Sequence, residues 1–316
     1  MRRRESAAQA FFHAARCFAV AVSIRVRFRH FLRLSQGQMN LGTINHCVYC
    51  GTRDGPFSDE HTVPVALGGD RYLENAACET CRKITNDGFE NACLSIMLES
   101  QRFHLGLMGK KARPKLKIGI GEPQAGFKWK HVSRDKHPLA LVLPRLAEPA
   151  LFTGHEYGET AQLAGLWAWR EENVEAILQE HAKESGGQKA RFFQPFNFHL
   201  FSRMLAKIAH TEAIGQFGEA SFRPYLPPLI LGKTQAVARY VGGNPAIPGG
   251  EAEKHIEWLT NSVSFGVAKP LLTGMPALLT TAIRLFDSFN APGYVVIVGE
   301  ALRDFPELEP GTSGGA

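Results

Sequence analysis

The chain has 316 residues, 44% hydrophobic and 21% charged, with a formal net charge of +6. That length can bury a real core as one large domain or two modest ones. The longest early apolar run, Cys17 to Ile24, falls far short of the roughly eighteen residues of a membrane span, so no membrane partner is expected.

Residues 1–38 hold eight arginines (Arg2, Arg3, Arg4, Arg16, Arg25, Arg27, Arg29, Arg33) against Glu5 alone, which gives this stretch +7. The rest of the chain then carries −1 (+6 less +7), so the basic balance belongs to the beginning. Residues 1–40 read as an extension, disordered or upstream of a native start at Met39. A transit-like or nucleic-acid-binding arm is the competing reading. A secretory signal fits poorly, because His13 and Arg16 interrupt the apolar stretch.

Next come two paired-cysteine motifs, Cys47-Val48-Tyr49-Cys50 and Cys78-Glu79-Thr80-Cys81. Four thiolates at this spacing supply the full tetrahedral shell of a structural Zn²⁺. The interval between the pairs exceeds that of a simple zinc ribbon. It holds Asp59-Glu60-His61, then Pro64 and Gly68-Gly69. Cys17 and Cys93 are too few for a disulfide framework, which fits a reducing, cytoplasmic setting.

Cys47-x-x-Cys50, Asp59-Glu60-His61-x-Val63-Pro64, Gly68-Gly69, Asn75 and Cys78-x-x-Cys81 follow the order and near the spacing of zinc-containing HNH endonucleases. The chain resembles the branch whose core reads EH-x-x-P-x-x-x-GG, over about Cys47 to Leu98. The resemblance implies a hairpin plus a helix around a catalytic divalent cation, Mg²⁺ or Mn²⁺, with the cysteines as a separate structural zinc site. It assigns Glu60 as a ligand of that cation, His61 as the general base and Asn75 as a brace of the loop carrying the base.

The residue types suit that chemistry. Phosphodiester hydrolysis needs a base to activate water and a cation to take up charge. An imidazole titrates near neutrality, and a carboxylate is a hard oxygen ligand. Successive strand residues point to opposite faces, so Glu60 and His61 can share a site only beside a bulge or turn. An ordinary exposed polar pair is the alternative.

Relatives in this family place Asn or His directly after the last cysteine; here that residue is Arg82. A guanidinium cannot ligate a cation, but its planar fork matches phosphate oxygens. Asn86, one turn on, could supply the missing oxygen. Alternatively, Asn86-Asp87-Gly88 ends one helix and Asp87 caps the next in a box with Glu90. Cys93, in an apolar helical run, reads as a buried small hydrophobe.

Between Arg102 and Lys136 ten basic residues face two acids. Lys115 and Lys117 alternate with Leu116 and Ile118, and Lys128 and Lys130 with Phe127 and Trp129, so two half-buried strands are expected around a Gly121–Gly126 loop. Paired, they are expected to show four lysines on one outward face, suited to phosphate backbones. The alternative is lysines that blunt a sheet edge.

Further on, Gly165–Glu184 and Phe198–Phe217 read as helices. In the second, Arg203, Lys207 and His210 form a polar stripe of the kind that is usually solvated. Ala282–Phe286 and Tyr294–Val298 read as a closing hairpin, and Gly311–Ala316 as a frayed tail.

The sequence thus predicts an α+β protein: a zinc-stabilised ββα-metal (HNH, treble-clef-like) module over 41–105, a basic hairpin region over 106–145 and a mixed α+β region over 146–310. Its expected activity is metal-dependent cleavage of DNA. A non-catalytic zinc module that binds nucleic acid or a partner, with Arg82 marking a lost site, is the alternative.

Overall fold

The computed structural model describes residues 26–30, 37–107, 116–155, 158, 162–250, 259–268 and 276–308. Lys115, most of the Arg-rich beginning and the tail Gly311–Ala316 lie outside them. Within the expected extension, strand β1 (Val26–His30) pairs antiparallel with residues 259–263.

The zinc region forms a three-stranded sheet of β2 (Met39–Thr43), β3 (Phe57–His61) and β4 (Arg71–Cys78), in the order β2-β4-β3. β3 and β4 are an antiparallel hairpin, and β2 runs parallel to β4. Helix α1 (Glu79–Thr85) follows β4 directly and does not stop at Asn86-Asp87-Gly88. It runs on through π-helical turns at Asn86–Glu90 and Cys93–Met97. The continuation packs against Arg203, whose guanidinium lies over the Phe89 ring, and Asp87 accepts a bond from the Asn91 amide one turn on.

β5 (Lys117–Glu122) and β6 (Gly126–His131) form the expected hairpin, with Ile118 opposite Lys130 and Gly119 opposite Trp129. β7 (Ala140–Leu146) pairs with β8 (Leu163–Arg170), where a helix was expected, and the helix α2 is confined to Val174–Glu184. Tertiary partners decide this conformation. The Trp167 indole donates to the Gly250 carbonyl at 3.0 Å, and Trp169 packs edge-on to Phe289. Strand alternation suits such half-buried aromatics. β9 (Lys189–Arg191) completes a sheet β6-β5-β9.

Helix α3 (Phe198–Phe217) has the extent expected, but its setting is different. Almost every residue from Phe201 to Ile214 is buried, Arg203, Lys207, His210 and Glu212 included. The polar stripe therefore faces protein. Arg203 donates to the Ile230 carbonyl and lies over the Phe89 ring, and His210 bonds to the Val48 carbonyl. Glu212 accepts from Arg71 at 2.8 Å.

Beyond α3, β10 (Phe222–Pro224), β11 (Val241–Gly243), β12 (Leu259–Ala268), β13 (Leu278–Arg284) and β14 (Tyr294–Ala301) join β1 in an antiparallel sheet. Its order is β1-β12-β13-β14-β10, with β11 also on β14. The β13–β14 pairing is the expected closing hairpin. One apolar core runs from Cys47 and Phe89 through α3 to Val296 and Val298, so the zinc region and the C-terminal region are packed as one body. No helix among the described residues is long and apolar enough to cross a membrane.

Candidate functional site

The two cysteine pairs converge. The sulfurs of Cys47, Cys50, Cys78 and Cys81 all lie within 4.8 Å of one another, the only such potential metal-holding cluster of His, Cys, Asp and Glu among the described residues. Cys50 Sγ and Cys78 Sγ stand 3.8 Å apart. Tetrahedral zinc with bonds of about 2.3 Å sets its sulfurs about 3.8 Å apart, whereas a disulfide needs about 2.05 Å. Backbone geometry builds the shell: Gly51, at φ +75°, turns the chain so that its N–H meets the Cys47 carbonyl. Cys78 ends β4 and Cys81 lies in the first turn of α1. Burial first, then the neighbouring Cys47 charge, drives the Cys81 thiol well above its ordinary range. A cation relieves that conflict, and the donor set fits a structural zinc.

The neighbouring acidic site has an occupant of its own. Glu60 is buried and its carboxylate lies 2.6 Å from Lys207 Nζ. Glu90, from the π-helical turn behind the second cysteine pair, reaches the same ammonium at 3.1 Å. Lys207 Nζ also donates to the His61 carbonyl. Burial pulls the Lys207 ammonium down, but the two carboxylates outweigh it and hold it charged, above its usual range. Burial pushes the Glu60 carboxyl up, against the pull of Lys207.

The resemblance implies a divalent cation at Glu60, and this arrangement does not fit one. The ammonium takes the position between the carboxylates that a divalent ion would need, and two cations cannot share one buried clasp. From the continuation of α1 it is Glu90 that shares the Lys207 ammonium with Glu60. Sequence reading missed Glu90, because Asp87-x-x-Glu90 mimics a capping box.

His61 closes β3 opposite Tyr72, and the register shifts between Ser58 and Glu60, ahead of the pair. Glu60 and His61 therefore follow one another in regular register against Leu73 and Tyr72, and their side chains point to opposite faces of the strand. The His61 ring is half-buried and tilted against Tyr72. Burial, then the Lys207 charge, lowers its pKa, which leaves the imidazole neutral near pH 7. Its Nε2 is sealed from solvent and has no hydrogen-bond partner among the described residues.

The loop after His61 is held at several points. Pro64 starts a short 3-10 turn, Val65–Leu67, that Gly68 ends at φ +84°. A Cβ on Gly69 would run into the Val63 carbonyl, so the Gly-Gly pair is a steric requirement. Arg102 donates to the Ala66 carbonyl at 2.9 Å, and Asn261 of β12 donates to the Leu67 carbonyl at 2.8 Å. Asn75, at φ +52°, donates its N–H to Asp59 and its amide to Asn45, which ties the β3 irregularity to the turn before Cys47.

The remaining expected residues stand apart from this site or from each other. Arg82 makes two bonds to Glu79, at 2.9 and 2.7 Å, on the surface of α1. Asn86 contributes its backbone to the helix ladder, bonding back to Arg82 and Lys83. The described lysines do not share one face. Lys128 and Lys130 lie opposite Ile120 and Ile118, while Lys117 lies opposite His131 on the other side of the sheet. Lys130 pairs with Glu184 at 2.9 Å. Comparison with family models, curated proteins and solved structures finds no match to this chain.

Proposed function

We propose that the protein is a zinc-stabilised, HNH-type endonuclease that hydrolyses phosphodiester bonds, most naturally in DNA, with His61 as general base. The observation that carries this reading is the state of His61, a neutral imidazole whose Nε2 lacks a partner. An orphaned polar atom of this kind calls for a partner, and for Nε2 to take the proton of an attacking water its cover must open when substrate binds. The succession of β3–β4 hairpin and α1 behind a four-cysteine cluster supports the same reading.

His61 would accept the water proton while Lys207, bonded to its carbonyl and to Glu60, fixes the end of β3. Lys207 holds Glu60, so the chemistry rests on His61 and not on an Mg²⁺ or Mn²⁺ at Glu60. Supercoiled plasmid, single-stranded DNA and RNA are incubated with the purified full chain, with Mg²⁺, with Mn²⁺ and without added divalent ion. Cleavage is expected, and His61→Ala should lower it by at least about a hundredfold, the contribution of a positioned base. A wild-type protein that cuts none of these forms refutes the proposal.

The Glu60–Lys207 pair favours a second reading, a zinc module of the same type that binds nucleic acid or a partner without cleaving. Nucleic-acid binding by a chain that leaves every form uncut selects it.

A further inference from the structure

The exposed face of the β6-β5-β9 sheet combines aromatic rings with cations and, among the described strand residues, carries no carboxylate. Gly119 lies opposite both Trp129 and Arg191, and Gly121 opposite both Phe127 and Lys189, so these side chains share a face with Lys117. Ile118 and Ile120 point to the other face and are buried. Glu122, the acid of the hairpin, alternates to that other face as well.

Two large rings lie bare on the aromatic side. Trp129 is 47% exposed and Phe193 is 53% exposed, and their centroids are 5.9 Å apart. Beside them the Arg191 guanidinium sits 3.7 Å above the Phe127 ring. The two glycines keep the centre flat: a Cβ at Gly119 would meet Phe127 at 3.3 Å and Trp129 at 3.4 Å. Adjacent exposed aromatics rimmed by charge mark an interaction surface.

We infer that this face binds single-stranded nucleic acid, with unpaired bases stacked on Trp129 and Phe193 and the backbone met by Lys117, Lys189 and Arg191. Stacking is worth about 1–3 kcal/mol per base and needs an open ring face, which a duplex does not offer. An acidic peptide would satisfy the cations but leave the bare rings without a role. The inference stands on the sheet alone and holds whether or not the chain cleaves.

The test is fluorescence anisotropy of the full chain with labelled oligodeoxythymidine and oligouridine of about 12 nucleotides, with duplex DNA and a polyglutamate peptide as competitors. The expected result is binding of a single strand at least tenfold tighter than of duplex or polyglutamate, with quenching of tryptophan emission.

Trp129→Ala should weaken binding about tenfold or more, and Trp129→Phe should retain it. Joint Lys117→Gln and Lys189→Gln should flatten the salt slope by about 1.4, while Lys128→Gln on the opposite face leaves it unchanged. Duplex or polyglutamate binding as tight as the single strand overturns the inference. So does unchanged affinity in a folded Trp129→Ala chain.

Discussion

Lys207 Nζ lies 2.6 Å from the Glu60 carboxylate, so an ammonium on the central helix neutralises the acid of the sequence motif. Glu90 completes the clasp at 3.1 Å. Buried charges survive only when paired and bonded, and this arrangement joins β3, the helix behind the cysteines and α3 at one point.

Lys207→Met should therefore destabilise the chain by about 3–5 kcal/mol, the cost of leaving buried charge uncompensated. The Glu60→Gln, Lys207→Met double variant should cost less than the sum of the two single variants, because the residues are directly coupled. Urea denaturation measures all three. Strict additivity would contradict the ion pair.

One zinc per chain is expected by elemental analysis, and Cys78→Ser should lose it. Metal-ligand energy is folding energy for such a site, so the variant should unfold at lower urea. A zinc-free wild-type protein of undiminished stability would contradict the cluster.

Gly69→Ala places a methyl group against the Val63 carbonyl. The loop must shift, at a cost of about 1–3 kcal/mol, and the displacement reaches His61 through Thr62. Thermal denaturation and the chemical shifts of the His61 ring report both effects. An unperturbed His61 signal would show that the turn does not position the His61 ring.

His104 Nε2 and His137 Nδ1 lie 3.2 Å apart, and burial lowers both pKa values to about 4. Arg134 adds to the lowering at His104, as His104 and His181 do at His137. Both rings are neutral in the fold and protonate near pH 6.5 when unfolded. Their stabilising contribution is thus complete above about pH 6.5 and lost as pH falls toward 4, by up to about 1.4 kcal/mol per pH unit for each ring. His137→Gln should make the urea midpoint less sensitive to acid across that window. An identical pH profile in the variant would show that the pair does not titrate on unfolding.

The parts of the molecule governed by local pattern were legible in the sequence. The four-cysteine cluster followed from cysteine spacing, the β5–β6 hairpin from period-two alternation, and α3 from its helical repeat between Asn197, whose side chain caps it, and Gly218. Lys207 was not legible as a partner of Glu60, because a stripe at Arg203, Lys207 and His210 has the spacing of a solvated face. One signal was available: Phe201, Met204, Leu205, Ile208 and Ala209 leave α3 without a wide polar side, as in a helix buried all round. The lysine face failed for a different reason. Lys117 and Lys130 have opposite sidedness only once the register sets Lys117 against His131, and residue counting within each strand does not fix that pairing.

The His210–Val48 bond extends the reach of the four-cysteine cluster well beyond its own loop. Val48 sits between Cys47 and Cys50 of that cluster, and its carbonyl is what His210 of the central helix holds at 2.9 Å. Extracting an ion from the cluster should therefore loosen the packing of α3 along with the turn that carries Cys47 and Cys50. Chelation should act as a denaturant of the whole chain: a single loss of structure in a chelator titration, with protease cuts appearing around 198–217 at the same rate as around 44–56. For the same reason the segment 41–105 is not portable. Cut free, it would expose Phe89, strand Arg71 from Glu212 and leave Glu60 without its counter-ion.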